Sequence, residues 1–117
     1  MGYDTIKITQ TCAMHAADFM FKIYTNTLIN PWVSMQMKAL LGRQLDTTKL
    51  SLGLPRKAMY YHKTGWWSFY TNDVGIVEDG NIKYIIAVFI PVTEEKITAQ
   101  LKNLSSRVYD LILSLHQ

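Results

Sequence analysis

The dipeptide Asp79-Gly80 constrains the fold of this chain more tightly than any other feature. It separates two segments rich in β-branched and aromatic residues, 69–77 and 82–90, and glycine here can adopt the positive φ of a tight hairpin turn. A third segment of the same character, residues 58–64, precedes them. The pattern predicts three consecutive strands in one antiparallel sheet.

Two helices are predicted before the sheet. Apolar residues recur at helical spacing over residues 12–28, and Thr11 is the candidate N-cap. Asn30-Pro31 marks a second helix start, because asparagine can cap free N–H groups and proline at the first helical position leaves no N–H unpaired. This second helix is expected to stop at Gly42.

A short helical turn and a long final helix complete the predicted elements. Asp46 is expected to cap one or two turns that end at Gly53. Thr93 is expected to cap a C-terminal helix, and an apolar stripe along that helix predicts packing on the sheet. The stripe consists of Ile97, Leu101, Leu104, Val108, Leu111, Ile112 and Leu115. The predicted fold class is therefore α+β.

Length and charge exclude several kinds of protein. With 117 residues, 49% of them hydrophobic, the chain suits one small domain or one part of a larger domain. Its 12 Lys and Arg against 9 Asp and Glu are scattered, so nucleic-acid binding is not expected. The longest strongly apolar run, 84–90, is too short to span a bilayer as a helix, and the polar first ten residues resemble no signal peptide. We expect a soluble protein without a visible export signal.

No metal or cofactor site is predicted. Cys12 is the only cysteine, so it can form neither an intrachain disulfide nor a cysteine cluster, and it is interpreted as a buried apolar residue. His62 is interpreted as a packing residue, because strand neighbours point to opposite faces and it cannot act beside Lys63. The other two histidines lie apart in predicted helices. Trp32 is expected in the core.

The tripeptide Lys63-Thr64-Gly65 ends the first predicted strand. K-T-G belongs, with S-x-x-K and S-D-N, to the signature set of class A β-lactamases and penicillin-binding proteins. A Gly-Leu-Pro sequence at 53–55 precedes it, and Asn-Asp at 72–73, the hairpin turn, an apolar strand and a closing helix follow. In this order, the features resemble the C-terminal part of a class A β-lactamase-like, penicillin-recognising serine hydrolase.

The resemblance implies a role for each residue of the motif. The substrates, β-lactams or peptidoglycan peptides, carry a carboxylate near a reactive acyl carbon. Lys63 would supply positive charge to the site, and Thr64 would offer a hydroxyl to the substrate carboxylate. Gly65 would let the substrate lie against the backbone, and the Trp66 N–H would contribute to the oxyanion hole. These four residues are the predicted substrate-binding site.

The sequence also departs from the family pattern. No serine is followed three residues later by lysine, and although Thr93 and Lys96 have that spacing, they are interpreted as a helix start. S-D-N is missing, and the Tyr-x-Asn sequences at 24–26 and 70–72 are interpreted as coincidences. Loss of the nucleophile lowers kcat by about 10⁶ in serine hydrolases. This chain alone is therefore expected to be inactive.

The resemblance implies a partner for the last strand. In the resembled fold the sheet has five strands, two of them N-terminal, so residues 82–90 would present an unpaired apolar edge here. Either two copies or an N-terminal fragment would pair with it. Residues 1–117 would thus form a single, incomplete domain of a protein that acts outside the cytoplasm in its full-length bacterial form.

An independent, non-catalytic module is the alternative interpretation. It would have kept the Lys63 strand and would bind a peptidoglycan-like ligand or a protein partner. An upstream reading frame encoding S-x-x-K followed by S-D-N favours the hydrolase. Saturable ligand binding by this chain, lost on Lys63→Ala, favours the module.

Overall fold

Three strands form one antiparallel sheet, as predicted. The computed structural model describes residues 11–67, 70–92 and 94–116, with the backbone alone at 66, 67 and 94–96. The strands β1 (Met59–Trp67), β2 (Tyr70–Asp79) and β3 (Ile82–Ile90) lie in the order β1-β2-β3. β1 extends beyond its predicted end because its pairing with β2 continues to Trp67, opposite Tyr70. The K-T-G motif therefore lies within the strand rather than at its end.

The predicted hairpin turn joins β2 and β3. Asp79 pairs with Ile82, so Gly80 and Asn81 form a two-residue loop. Gly80 has a φ of 60°, and no atom lies within 4 Å of the position that a Cβ would take. Backbone conformation, rather than crowding, therefore requires glycine at this turn.

Helices cover both faces of the sheet. On one face lie α1 (Ala13–Tyr24) and α2 (Pro31–Leu41), and on the other lie a 3-10 helix (Leu50–Gly53) and α3 (Glu94–Leu115). The first core contains Met20, Ile23, Val74 and Ile76, with Ile85, Ala87 and Phe89 packed against it. The second contains Leu50, Ile97 and Leu101, with Tyr60, Ile86, Val88 and Ile90 packed against it. Alternate β3 residues thus face opposite cores, as a pleated strand requires.

The first helix differs from its prediction at both ends. Its N-cap is Cys12, without a side-chain cap, and the Thr11 hydroxyl donates to the Cys12 carbonyl instead. Cys12 is exposed, so its assignment to the interior was wrong. The helix ends at Tyr24 rather than at residue 28, because the chain turns at Asn26, where φ is 61°. The sequence keeps its apolar periodicity beyond the turn, because the turn depends on polar side chains and not on the apolar ones.

The second helix follows its prediction. The Asn30 side chain accepts a hydrogen bond from the Val33 N–H at 2.8 Å, and Pro31 is the first helical residue. The helix stops at Gly42, its C-cap. Trp32, however, is 69% exposed, so its assignment to the core was wrong. It lies on the surface of α2 that packs on neither described core.

Asp46 does not cap a helix. The 3-10 helix has Lys49 at its N-cap, and the Asp46 carboxylate accepts the Thr48 N–H at 3.0 Å within the preceding loop. The short side chain therefore stabilises a local turn, a frequent alternative to helix capping for aspartate.

The final helix packs on the sheet beyond its N-terminal half, since Tyr109 is buried and its hydroxyl donates to Asp79 at the end of β2. Ile97 and Leu101 are buried, whereas Leu111 and Leu115 near the other end are exposed. Thr93, the predicted cap, lies outside the described residues. Among the residues that are described, none of the helices has the length and apolar character needed to cross a membrane.

Gly75 is the glycine most crowded by the motif strand, and it yields a test of the fold. A Cβ there would lie 2.5 Å from a ring carbon of Tyr60 and 2.6 Å from the backbone oxygen of Tyr61, which cannot move without disturbing β1. We predict that Gly75→Ala lowers the free energy of unfolding by about 1 to 3 kcal/mol in denaturant titrations.

Gly65→Ala is the matched control. The nearest atom to a Cβ at Gly65 is 3.7 Å away, at an ordinary contact distance. Its effect on unfolding should remain within about 0.5 kcal/mol. Equal destabilisation by the two substitutions would contradict the register of β1 against β2.

Candidate active site

The K-T-G motif lies on an outer strand of the sheet. In the described part of the chain, β2 is the one strand hydrogen-bonded to β1. Lys63 is paired with Val74, and Thr64 with Asp73. Because side chains alternate along a strand, Lys63 projects on the α1 face and Thr64 on the α3 face. The motif therefore reaches both sides of one sheet edge.

An open cleft of about 510 Å³ adjoins the motif on the α1 face. Lys63, Thr64 and Gly65 line it from β1, and His15 and Phe19 line it from α1. The Lys63 side chain is exposed, and its ammonium group donates to the Thr64 carbonyl at 2.5 Å. This position leaves a positive charge at the edge of a cleft with largely apolar walls.

The fourth predicted site residue, Trp66, belongs to the same strand. Its backbone is paired with Thr71, and its indole lies outside the described atoms. The structure thus brings the backbone of all four predicted residues onto one continuous edge.

A polar cluster around Asp46 lies in the loop before the 3-10 helix, and the motif alone did not predict it. The Asp46 carboxylate accepts from the Lys49 ammonium at 2.7 Å and from the Thr48 hydroxyl at 2.5 Å. Burial by itself would raise the pKa of Asp46, but these hydrogen bonds outweigh it and hold the pKa well below its ordinary value.

A buried histidine and aspartate connect the motif strand to the 3-10 helix. His62 Nδ1 lies 3.0 Å from Asp73 Oδ1, and both side chains are almost completely buried. The second oxygen of Asp73 accepts the Leu50 N–H at 3.1 Å. The Tyr60 ring stacks on the imidazole at a centroid distance of 4.2 Å. The packing role expected for His62 is consistent with this position, but the polar partner was not anticipated.

Tyr60 completes this buried cluster. Its hydroxyl has no hydrogen-bond partner within the described residues. Burial and then the negative charge of Asp73 raise the pKa of Tyr60, which keeps the phenol neutral. A neutral, stacked phenol supports the imidazole rather than supplying a base.

The described residues contain no group of three or more histidine, cysteine or acidic side chains placed to hold a metal ion. Each of the polar clusters, at Asp46 and at Asp73, contains one carboxylate and the groups that form hydrogen bonds with it. Sequence reasoning missed both clusters, although the spacing of Asp46 and Lys49 was visible. A carboxylate three residues before a lysine did not reveal that the lysine would be buried.

Solved structures share this arrangement of strands and helices. An acyl-enzyme complex of PBP-A with penicillin G has a TM-score of 0.78 and 24% identity, over 85% of this chain and 39% of that chain. A β-lactamase from Chitinophaga pinensis has a TM-score of 0.74 and 20% identity, over 84% and 40%. One from Sphaerobacter thermophilus has a TM-score of 0.66 and 18% identity, over 79% and 36%. The predicted partial β-lactamase-like α+β fold is confirmed.

The family follows from the sequence match. The model of the β-lactamase enzyme family matches residues 3–112, and the chain belongs to this family. No curated protein is significantly similar to it in sequence. The chain spans about two-fifths of the length of the solved structures that it resembles.

The Asp73 cluster yields a test of how the motif strand is held. Asp73→Ala would leave the Leu50 N–H and the His62 imidazole without their buried acceptor. We predict that the free energy of unfolding falls by about 3 kcal/mol in denaturant titrations.

Asp18→Ala is the matched control, since Asp18 forms an exposed ion pair with Lys22 at 3.2 Å. It should change the free energy of unfolding by less than about 0.5 kcal/mol. If Asp73→Ala were as mild as this control, the cluster would not hold β1 in place.

Proposed function

We propose that this chain supplies the substrate-carboxylate and oxyanion strand of a β-lactamase-family serine hydrolase that acts on β-lactams or peptidoglycan peptides through an acyl-enzyme. The observation that carries the proposal is the placement of Lys63, Thr64 and Gly65 on an outer strand beside an open cleft. The family match and the PBP-A acyl-enzyme complex with penicillin G support the same chemistry.

Each motif residue has a surrounding that suits its proposed role. Lys63 is exposed at the cleft, where its charge can attract a substrate carboxylate. Thr64 brings a hydroxyl to the same edge. Gly65 has open space around it, so a substrate can approach the backbone. The Trp66 N–H would then donate to the developing oxyanion, an interaction worth about 2.7 to 4 kcal/mol in other enzymes.

The nucleophile must come from outside residues 1–117. In this sequence no serine has the S-x-x-K spacing, so an acyl-enzyme cannot form here by the chemistry of the family. The length ratio to the solved structures supports this division, because most of each of those chains has no counterpart here. We infer that this chain is the C-terminal portion of one domain, acting outside the cytoplasm in its full-length form.

The apolar surface supports an N-terminal segment of the same fold as the missing partner. Among the described strands β3 has β2 as its one neighbour, so no described strand pairs with its other edge. A cavity of about 260 Å³ beside this edge is lined by Phe21, Tyr24 and Tyr84, among others. Large apolar side chains are also exposed on α1 and α2: Met14, Phe19, Phe21, Trp32, Met35 and Leu40. Covering such a surface is favourable at about 25 cal/mol per Å².

Activity and binding assays test the proposed function together. The isolated chain should show no turnover of a chromogenic cephalosporin above a heat-denatured sample. It should bind penicillin G saturably in calorimetric titrations, and Lys63→Ala should weaken that binding about tenfold or more.

Lys102→Ala, at an exposed position on α3, is the control and should leave binding unchanged. Turnover by the pure chain would refute the inference that the nucleophile lies outside residues 1–117. Equal binding by the Lys63 and Lys102 variants would refute the assigned site.

Light scattering tests the proposed partner. The isolated chain should self-associate as its concentration rises, and a polypeptide carrying the S-x-x-K and S-D-N segments should replace that association with a one-to-one complex. Phe21→Lys, at an exposed residue that lines the cavity beside the edge of β3, should weaken both assemblies. A chain that stays monomeric at all concentrations, with or without the added polypeptide, would contradict the proposed partner.

A further inference from the structure

One buried polar atom beside the K-T-G motif lacks a hydrogen-bond partner within the described part of the chain. The Asn72 side chain lines the cleft next to Lys63 and Gly65, and its carboxamide oxygen Oδ1 is buried and unpaired there. Buried polar atoms in folded proteins nearly always have a partner, because losing a hydrogen bond to water costs free energy. A donor for Asn72 is therefore expected from a group that enters the cleft.

The sheet register explains why the neighbours of Asn72 do not supply this donor. Asn72 lies between Gly65 on β1 and Phe89 on β3, and both residues line the cleft with it. Glycine has no side chain, and the side chain of phenylalanine has no hydrogen-bonding group. Val74, the next residue of β2 on the same face, is apolar as well. An apolar side chain would pack at least as well in this wall, so the carboxamide favours a role in binding.

Gly65 keeps the approach to Asn72 open from the edge of β1. A Cβ at Gly65 would lie 3.7 Å from Asn72 Nδ2, so a larger side chain at that position would cover the carboxamide. Lys63 and Gly65 are two residues apart on one face of β1, which places their Cα atoms about 7 Å apart. A small ligand can span this distance and contact both Lys63 and Asn72.

We propose that Asn72 is a specificity-determining residue of the substrate site, where its carboxamide oxygen accepts a hydrogen bond from an amide N–H of the ligand. This inference rests on the proposed function, because it takes the cleft beside Lys63 as the place where the substrate binds. It adds a requirement on the ligand: a carboxylate for the Lys63 ammonium and, several bonds away, an N–H donor for Asn72. Acylated β-lactams and peptides carry both groups.

Asn72→Leu tests this contact, because leucine is similar in size and has no acceptor. Penicillin G has one amide N–H, in its acylamino group, whereas penicillanic acid lacks that group and keeps the carboxylate. In calorimetric titrations, we expect Asn72→Leu to raise the dissociation constant for penicillin G about five- to tenfold and to change that for penicillanic acid by less than about twofold. Lys63→Ala should weaken the binding of both ligands.

Asn103→Leu, at an exposed position on α3, is the matched control and should leave both dissociation constants unchanged. Circular dichroism establishes that each variant is folded. If Asn72→Leu does not fold, the side-chain amide signals of Asn72 are followed by NMR in the wild-type chain. They should shift with penicillin G and stay in place with penicillanic acid, and equal shifts would contradict the contact.

The outcomes separate this inference from the proposed function. Weaker binding that is confined to penicillin G supports both. If the wild-type chain binds in a Lys63-dependent manner and Asn72→Leu weakens neither ligand, or weakens both equally, Asn72 is a structural residue and the inference fails alone. If the wild-type chain binds neither ligand saturably, the proposed function and the inference both fail.

Discussion

The double hydrogen bonding of Asp73 fixes the geometry on which the rest of the site depends. One oxygen of the carboxylate bonds to His62 on β1, and the other accepts the N–H of Leu50 at the start of the 3-10 helix. Both partners are buried, so water cannot replace either bond at low cost. Because His62 immediately precedes Lys63, the cluster sets the position of the motif strand relative to the loop that contains Asp46.

The pleat of β1 distributes the motif over two environments. Lys63 faces the cleft beside α1, while the side chain of Thr64 is buried and projects toward the α3 face. A motif at the centre of a sheet would bury its lysine among apolar residues at a large desolvation cost. On an outer strand, both side chains reach one edge and the lysine stays hydrated. The fold therefore makes this tripeptide suitable for binding an anion.

The sheet was predictable from local signals. Alternating β-branched and aromatic residues and the Asp79-Gly80 turn determine strands and connection with little help from tertiary structure. Asn30-Pro31 marked its helix start equally well. The K-T-G motif indicated the candidate site residues because it is a chemical signature, not a structural one.

Other features could not be predicted from apolar periodicity or residue type alone. Residues 25–28 continue the helical periodicity of α1, yet the backbone turns at Asn26, where φ is 61°. Trp32 has a large apolar side chain of the kind that usually lies in a core, but it is 69% exposed on α2. The partners of Asp73 could not be read from spacing alone, because His62 reaches it only when β1 pairs with β2, and Leu50 lies on the 3-10 helix. Burial of Lys49 likewise follows from tertiary packing.

Mapping penicillin G onto the isolated chain by amide chemical shifts tests the central claim most directly. The claim is that the edge of β1 forms one wall of an acyl-transfer site. It predicts that the largest shifts occur at residues 63–66 and that Lys63→Ala abolishes them. Shifts confined to α3 and the hairpin turn, or shifts at β1 that persist in Lys63→Ala, would contradict it.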